Sequence, residues 1–130
     1  MNQRLSNPYL RPKILVAEDD PDQRELLCEA LVDLGFNVES AVDGAAALSA
    51  LKTGKHNLAI LDLKMPVMSG REVLESIRTE NKRIPIVMVS AFLSPIDRAA
   101  LIGEGADCCL SKPFALPVMI ETVNGLLRRT

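Results

Sequence analysis

Five polar side chains stand where apolar segments of the sequence end, and their chemistry points to phosphoryl transfer. They are Glu18 and Asp19 after KILVA, Asp62 within NLAILDL, Ser90 within IPIVMVSA and Lys112 after ADCCL. Three carboxylates brought close together repel one another, and a hard divalent cation such as Mg²⁺ is the usual remedy. Beside such a cation and an ammonium group, an aspartate can attack phosphorus and form an aspartyl phosphate. A hydroxyl and an ammonium group can then bind the phosphoryl oxygens.

The elements that must position these side chains follow from hydrophobic periodicity. Strands are predicted for five short apolar runs: residues 13–17, 36–41, 57–63, 84–91 and 106–110. Apolar residues at helical spacing predict five helices between and after them, the first beginning with Asp20 as N-cap and Pro21 in its first turn. Strict alternation predicts an α/β fold, a doubly wound parallel sheet flanked by helices. Ligands bind such sheets at the carboxyl ends of the strands, where the five polar residues should meet.

Composition narrows the class of protein. The chain has 130 residues, which is room for one domain, with 48% hydrophobic and 25% charged residues and a net charge of −2. No excess of basic residues supports direct nucleic-acid binding. No apolar run is long enough to span a membrane, and the polar N-terminus lacks a signal-peptide core. Three cysteines without a CxxC pair fit a reducing cytoplasm. We therefore expect a cytoplasmic protein that contacts neither nucleic acid nor membrane.

Four segments, in this order and spacing, resemble the receiver domain of two-component response regulators: ILVAEDDPD, LAILDLKMPVMSG, IVMVSA and ADCCLSKPF. The resemblance covers about residues 13–128. It implies a flavodoxin-like, CheY-like fold with five parallel strands in the order 2-1-3-4-5 and five flanking helices. Residues 1–12 would then form an N-terminal tail and residues 13–130 the receiver domain. The implied protein is a phosphorylation switch and not an enzyme.

The resemblance also implies a metal site. Glu18 and Asp19 would be the acidic pair that holds Mg²⁺ together with Asp62, and Lys64 would contribute its backbone carbonyl. Mg²⁺ is the one cofactor expected.

The phosphoryl-binding residues are implied in the same way. Asp62 would be the phosphoacceptor, Ser90 the switch hydroxyl and Lys112 the lysine that pairs with the phosphoryl group. The bond from Lys112 to Pro113 would be the family's cis peptide.

The implied partners are proteins. A sensor histidine kinase or a histidine phosphotransfer protein would donate the phosphoryl group. A downstream protein, or a second copy in a homodimer, would bind the face formed by the fourth helix, fifth strand and fifth helix. No output domain follows the last helix in this sequence, so we expect a stand-alone receiver or a domain cut from a longer protein.

One position departs from the family pattern. Receivers usually carry an aromatic residue three positions before the lysine, where its rotamer change relays phosphorylation, but this chain has Cys109 there. A thiol cannot replace a ring in that role. We therefore hypothesise that the signal runs through Phe92, two residues after Ser90.

Two other functions remain open at this stage. A phosphatase of the haloacid dehalogenase type also uses an aspartate nucleophile, but it generally needs a second aspartate two residues later, where this chain has Lys64. A flavodoxin-like FMN binder shares the strand order, yet the acidic EDDPD after the first strand would repel a phosphate.

The remaining reactive residue types have ordinary structural explanations. His56, the only histidine, is predicted to be a surface residue of a turn. Cys108 and Cys109 should be inert buried thiols on opposite faces of a strand, which disfavours a mutual disulfide. Met65 and Met68 are expected to pack within their loop.

Overall fold

Five strands alternate with five helices in this protein, whose computed structural model describes residues 11–129. The strands are β1 (Lys13–Ala17), β2 (Asn37–Ala41), β3 (Leu58–Asp62), β4 (Ile86–Ser90) and β5 (Cys108–Ser111). The helices are α1 (Pro21–Asp33), α2 (Gly44–Leu51), α3 (Gly70–Thr79), α4 (Pro95–Gly103) and α5 (Leu116–Arg128). Most of the predicted tail, residues 1–10, lies outside the described residues. Within residues 11–129, no helix combines the length and the apolar character needed to cross a bilayer.

The sheet is parallel throughout, in the order β2-β1-β3-β4-β5, which confirms the predicted fold class and strand order. Register brings the strand ends level: Asp62 pairs with Val89, and Ser90 pairs with Ser111. Because all strands run in one direction, the last residues of β1, β3, β4 and β5 share one edge. We call this the carboxyl edge.

The core has two halves, one on each face of the sheet. Alternate residues of β1 show the division: Ile14 and Val16 pack with α1 and α5, while Leu15 and Ala17 pack with α2, α3 and α4. β3 and β4 are buried at every position. Strands covered on both faces need apolar residues at successive positions, which explains why the sequence shows continuous apolar runs without alternation.

Side-chain caps fix where the helices begin at the carboxyl edge. Asp20 accepts hydrogen bonds from the backbone N–H groups of Asp22 and Gln23, which confirms it as the N-cap of α1. Ser69 and Ser94 close capping boxes at the starts of α3 and α4. Such caps satisfy N–H groups that have no partner within the helix. The loops that carry the candidate site are therefore anchored at their helical ends.

Four of the five predicted strands are longer than the observed ones, and two of these have local reasons for where they begin. β4 begins at Ile86 and not at Ile84, because Pro85 has no N–H for the ladder. β5 begins at Cys108 because Asp107 uses its carboxylate to accept the N–H of Ile86, at 2.8 Å.

Candidate functional site

Three carboxylates meet at the carboxyl edge. Glu18 follows the last residue of β1, Asp19 comes next, and Asp62 ends β3 on the neighbouring strand. One carboxylate oxygen from each residue lies within 4.8 Å of the others. Glu18 and Asp62 are only 6% and 8% exposed, whereas Asp19 is exposed. The sequence prediction that these residues converge is confirmed, and we call them the acidic cluster.

Lys112 holds two members of this cluster. Its Nζ donates to Glu18 Oε1 at 2.5 Å and to Asp62 Oδ2 at 2.8 Å. The lysine follows β5, and its backbone N–H donates to Ser90 O at 2.9 Å, which ties the residue to the end of β4. The peptide bond between Lys112 and Pro113 is cis, as the resemblance implied. The ammonium group therefore acts as the counter-ion of the buried carboxylates.

Ionisation in the cluster reflects burial and close charges. Removal from water, together with the neighbouring Asp62 carboxylate, raises the pKa of Glu18 from 4.5 to about 7, although Lys112 opposes the change. Burial alone would lower the pKa of Lys112, but its bonds to Asp62 and Glu18 outweigh that effect and raise it. The lysine is therefore held in its charged form, while Glu18 binds a proton more readily than an exposed glutamate does.

One buried oxygen in the cluster has no hydrogen-bond partner. Glu18 Oε2 is buried and accepts no hydrogen bond from any described residue. An unpaired buried carboxylate oxygen is costly, and a bound cation is a common explanation for one. The donor set is all oxygen, which suits a hard ion such as Mg²⁺ better than a transition metal. The residues present therefore fit a divalent cation.

Ser90 ends β4, next to the strand that ends in Asp62, and Lys64 lies in the loop that follows Asp62. Ser90 is 2% exposed, and its Oγ accepts the backbone N–H of Phe92 at 3.4 Å. The backbone N–H of Lys64 donates to Asp62 Oδ1 at 3.2 Å, and Lys64 Nζ lies 5.7 Å from the centre of the Phe92 ring. Phe92 itself is 78% exposed. The loops that carry Lys64 and Phe92 are thus linked across the mouth of the cluster.

A mainly apolar cavity of about 590 Å³ adjoins the cluster between α1 and the start of α5. Leu26, Leu27 and Phe114 contribute to its apolar wall, while Glu18 and Asp62 form part of its polar end. A volume of this size is typical of small-molecule or side-chain binding sites. This cavity could not be predicted from the sequence, because its walls come from five separate segments between Val16 and Leu116.

The other reactive residue types divide into confirmed and wrong predictions. Cys109 is buried in the half of the core that faces α2–α4, and Cys108 packs in the other half, so the thiols point apart as predicted. Cys108 is half-buried, not fully buried as predicted. Burial raises the pKa of each thiol, which lowers the fraction present as the reactive thiolate. The surface assignment of His56 is wrong: its side chain is 1% exposed, and Nε2 donates to Glu39 Oε1 at 2.8 Å. Met65 and Met68 were expected to pack within their loop, but both are half-buried and pack against the core.

Sequence reasoning missed Arg24, which contacts the backbone of the acidic cluster. Its Nη1 donates to the carbonyl oxygen of Glu18 at 2.8 Å and to that of Asp19 at 3.3 Å. The residue lies on α1 and is half-buried. Its position five residues after Asp19, at the start of a helix, is the only signal that the sequence offers.

Comparison with known proteins places these features in a family. The family model described as the response regulator receiver domain matches residues 14–124. The transcriptional regulatory protein PrrA of Mycobacterium bovis is 39% identical over 118 residues, which is 91% of this chain and 51% of that protein. The probable transcriptional regulatory protein TcrX of Mycobacterium tuberculosis is 34% identical over 117 residues, covering 90% of this chain and 50% of the relative. The chain thus spans about half the length of these curated relatives.

Solved structures with the same fold include the receiver domain of the Francisella response regulator 1452 and the chemotaxis protein CheY4 of Vibrio cholerae. The first has a TM-score of 0.89 at 30% identity and covers 92% of this chain and 98% of its own. The second has a TM-score of 0.83 at 30% identity and covers 89% and 98%.

Proposed function

The chain belongs to the response regulator receiver domain family, and on that premise we propose that Asp62 accepts a phosphoryl group from a histidine of a sensor kinase or phosphotransfer protein. The observation that carries this proposal is the pairing of Asp62 with Lys112 at the mouth of an acidic cluster. A lone buried aspartate would have no means of stabilising a phosphoryl group. Here the ammonium group of Lys112 is already in contact with the carboxylate of Asp62.

The transfer step needs little covalent chemistry from the protein. A carboxylate oxygen of Asp62 attacks phosphorus, the bond from phosphorus to the donor's imidazole nitrogen breaks, and its electron pair stays on that nitrogen. Charge then builds up on the phosphoryl oxygens, and fixed donors stabilise it. Lys112, which contacts Asp62, would pair with one such oxygen, and the hydroxyl of Ser90 would turn to donate to another.

We also propose that the acidic cluster holds a Mg²⁺ ion. Its ligands would be the carboxylates of Glu18, Asp19 and Asp62 and the backbone carbonyl of Lys64. When bound, it neutralises the acidic cluster and polarises the phosphoryl group. The unpaired Glu18 Oε2 supports this assignment. The chain itself would not turn over substrate, since the acid–base carboxylate that phosphatases place two residues after the nucleophile is replaced by Lys64.

Signalling through Phe92 is the part of the proposal that concerns the switch. Three contacts connect the phosphoacceptor to Ser90: Asp62 Oδ1 with the N–H of Lys64, Lys64 Nζ with the Phe92 ring, and the N–H of Phe92 with Ser90 Oγ. If Ser90 turns toward a phosphoryl oxygen, the N–H of Phe92 loses its acceptor and the loop is free to move. Position 109, where the family's relay ring would be, is a buried cysteine.

The partner surface is proposed to be the face of α4, β5 and α5. Ile96 and Ile102 on α4 and Val118 on α5 expose apolar side chains there, which suits a downstream protein or a second copy. A cytoplasmic location follows from the same proposal, because free thiols and a kinase donor belong to that compartment.

Intact-protein mass spectrometry tests the phosphoacceptor. We expect wild-type protein incubated with acetyl phosphate and Mg²⁺ to gain the mass of one phosphoryl group, and Asp62→Asn to gain none. Asp22→Asn, which removes an exposed carboxylate of α1, serves as the matched control and should react like wild type. An adduct that persists in Asp62→Asn would exclude Asp62 as the acceptor. Bound flavin or continuous phosphate release would favour one of the two alternative functions.

A second experiment tests the relay. Phe92→Ala should still accept the phosphoryl group but should lose the phosphorylation-dependent change in partner affinity or in dimerisation. An unchanged response would rule out the relay through Phe92 and leave the assignment of Asp62 intact.

A further inference from the structure

Arg24 is bonded to the two residues that bring carboxylates from the β1–α1 loop to the acidic cluster. A single nitrogen, Nη1, donates to the carbonyl oxygens of both Glu18 and Asp19, at 2.8 and 3.3 Å. The guanidinium reaches back from the first turns of α1, where its own backbone N–H donates to Asp20 O at 2.9 Å. The contact is therefore made to the backbone and not to the carboxylates.

The loop has fixed points on either side of these two carbonyls. The N–H of Glu18 donates to Ala41 O on β2 at 3.1 Å, and the Asp20 side chain caps α1. Between those points, Arg24 is the described side chain that holds the carbonyl groups of Glu18 and Asp19. Without it, neither carbonyl group would have a described side-chain donor, and Asp19 would turn more easily than Glu18, whose carboxylate is also held by Lys112.

The need for such a restraint comes from charge repulsion. Three carboxylates within 4.8 Å repel one another, and Asp19 is the exposed member, with open solvent into which it can turn. A cation site works best when its ligands are already placed, since groups that orient metal ligands typically change metal affinity by 10- to 100-fold. A bond to the backbone at Asp19 keeps its carboxylate on the side of the cluster.

We propose that Arg24 is a positioning residue for the divalent cation: by holding the carbonyl groups of Glu18 and Asp19, it keeps their carboxylates preorganised for the ion. This inference rests on the proposed function, because it assumes that the acidic cluster holds Mg²⁺.

Electrostatics and positioning predict opposite results when Arg24 is removed. A positive charge near a cation site weakens binding of the cation, so by Coulomb's law alone its loss should strengthen Mg²⁺ binding. If Arg24 positions the ligands, its loss should weaken Mg²⁺ binding instead. The direction of the change therefore distinguishes the two effects.

Titration calorimetry with MgCl₂ measures that direction. We expect Arg24→Met to bind Mg²⁺ roughly tenfold more weakly than wild type, the lower end of the effect of such orienting groups. Arg24→Lys keeps an N–H donor and should recover much of the loss. Arg83→Met, which removes a charge from the loop before β4 at the opposite edge of the sheet, is the charge control and should bind like wild type.

The rate of phosphorylation by acetyl phosphate provides a second readout. In Arg24→Met, the Mg²⁺ concentration that gives half the maximal rate should rise by the same factor, while the rate at saturating Mg²⁺ should change little. Circular dichroism establishes that the variant is folded. If it is not, Arg24→Gln takes its place, because its shorter amide cannot reach both carbonyl groups and should also lose affinity.

Equal or tighter Mg²⁺ binding by the folded variant would overturn the role of Arg24. Wild-type protein that binds no Mg²⁺ would instead overturn the metal site of the proposed function, so the two failures are distinguishable.

Discussion

The metal-free protein should lose stability as the pH rises, and Glu18 should be the cause. Burial and the neighbouring Asp62 raise the pKa of Glu18 from 4.5 to about 7. In the unfolded chain this carboxyl ionises near pH 4.5, whereas in the folded protein it keeps its proton up to about pH 7. Its contribution to stability is therefore fully present below pH 4.5 and is lost as the pH rises through about 7.

The size of the effect follows from the two pKa values. At roughly 1.4 kcal/mol for each pH unit, the difference between 4.5 and about 7 corresponds to about 3 kcal/mol. Glu18 is only 6% exposed, so solvent screens it little, but it shares its charge interactions with Asp62 and Lys112. We therefore expect about 2–3 kcal/mol of unfolding free energy to be lost between about pH 5 and pH 8.

Urea unfolding in the presence of a chelator, followed by circular dichroism because the chain has no Trp, measures this loss. The change in unfolding free energy with pH should be smaller by that amount in Glu18→Gln, whose amide does not titrate. Glu25→Gln removes an exposed carboxylate of α1 and should behave like wild type. Added Mg²⁺ should restore stability at pH 8 and have little effect at pH 5, because the ion competes with the proton. Parallel pH profiles for wild type and Glu18→Gln would refute the reasoning.

Three further predictions concern stability and are read out by the same urea unfolding. Val67→Asn should stabilise the protein by about 1 kcal/mol, because a β-branched residue is strained at φ 71° and Asn tolerates this conformation better. Val67 is 81% exposed, so the change removes little packing. If stability does not rise, the loop does not store this strain. Gly44→Ala should lower the free energy of unfolding by roughly 2–3 kcal/mol, since its Cβ would lie 1.8 Å from a carbonyl oxygen of the β3–α3 loop. Gly103→Ala is the control: its Cβ meets nothing within 4 Å, so the change should be neutral or stabilising. Equal effects would contradict the packing argument. The hydrogen bond from His56 lowers the pKa of Glu39, whose side chain is 43% exposed and therefore screened by solvent. Glu39→Gln should be destabilising by no more than about 0.5 kcal/mol above pH 4.5, and the difference should vanish as the pH falls through the lowered pKa. A difference that persists in acid would show that charge is not the cause.

The fold and most of the candidate site could be predicted from local sequence signals. Continuous apolar runs identify strands covered on both faces, and a residue that ends such a run must lie at the carboxyl edge. That reasoning places Asp62 and Ser90 correctly without any knowledge of distant contacts. The packing of Cys108 and Cys109 in different halves of the core follows from strand alternation in the same way.

Contacts between segments far apart in the sequence were beyond such reasoning. His56 was expected at the surface because it lies in a turn, but Glu39 on β2 provides a partner 17 residues away and the side chain is buried. Arg24 was overlooked because a charged residue in an amphipathic helix is ordinarily solvated. Its role depends on the direction in which α1 leaves the loop. Both cases turn on tertiary geometry and not on residue type.

The burial of the only histidine also gives this molecule a natural spectroscopic probe. The chain has no Trp and one Tyr, so its intrinsic fluorescence is weak, whereas the imidazole protons of His56 give isolated NMR signals. His56 is bonded to Glu39 on β2, the strand at one edge of the sheet. Detachment of that strand breaks the bond and exposes the ring. The NMR signals of His56 therefore report detachment of the outer strand β2, separately from any change at the carboxyl ends of the strands where the acidic cluster lies.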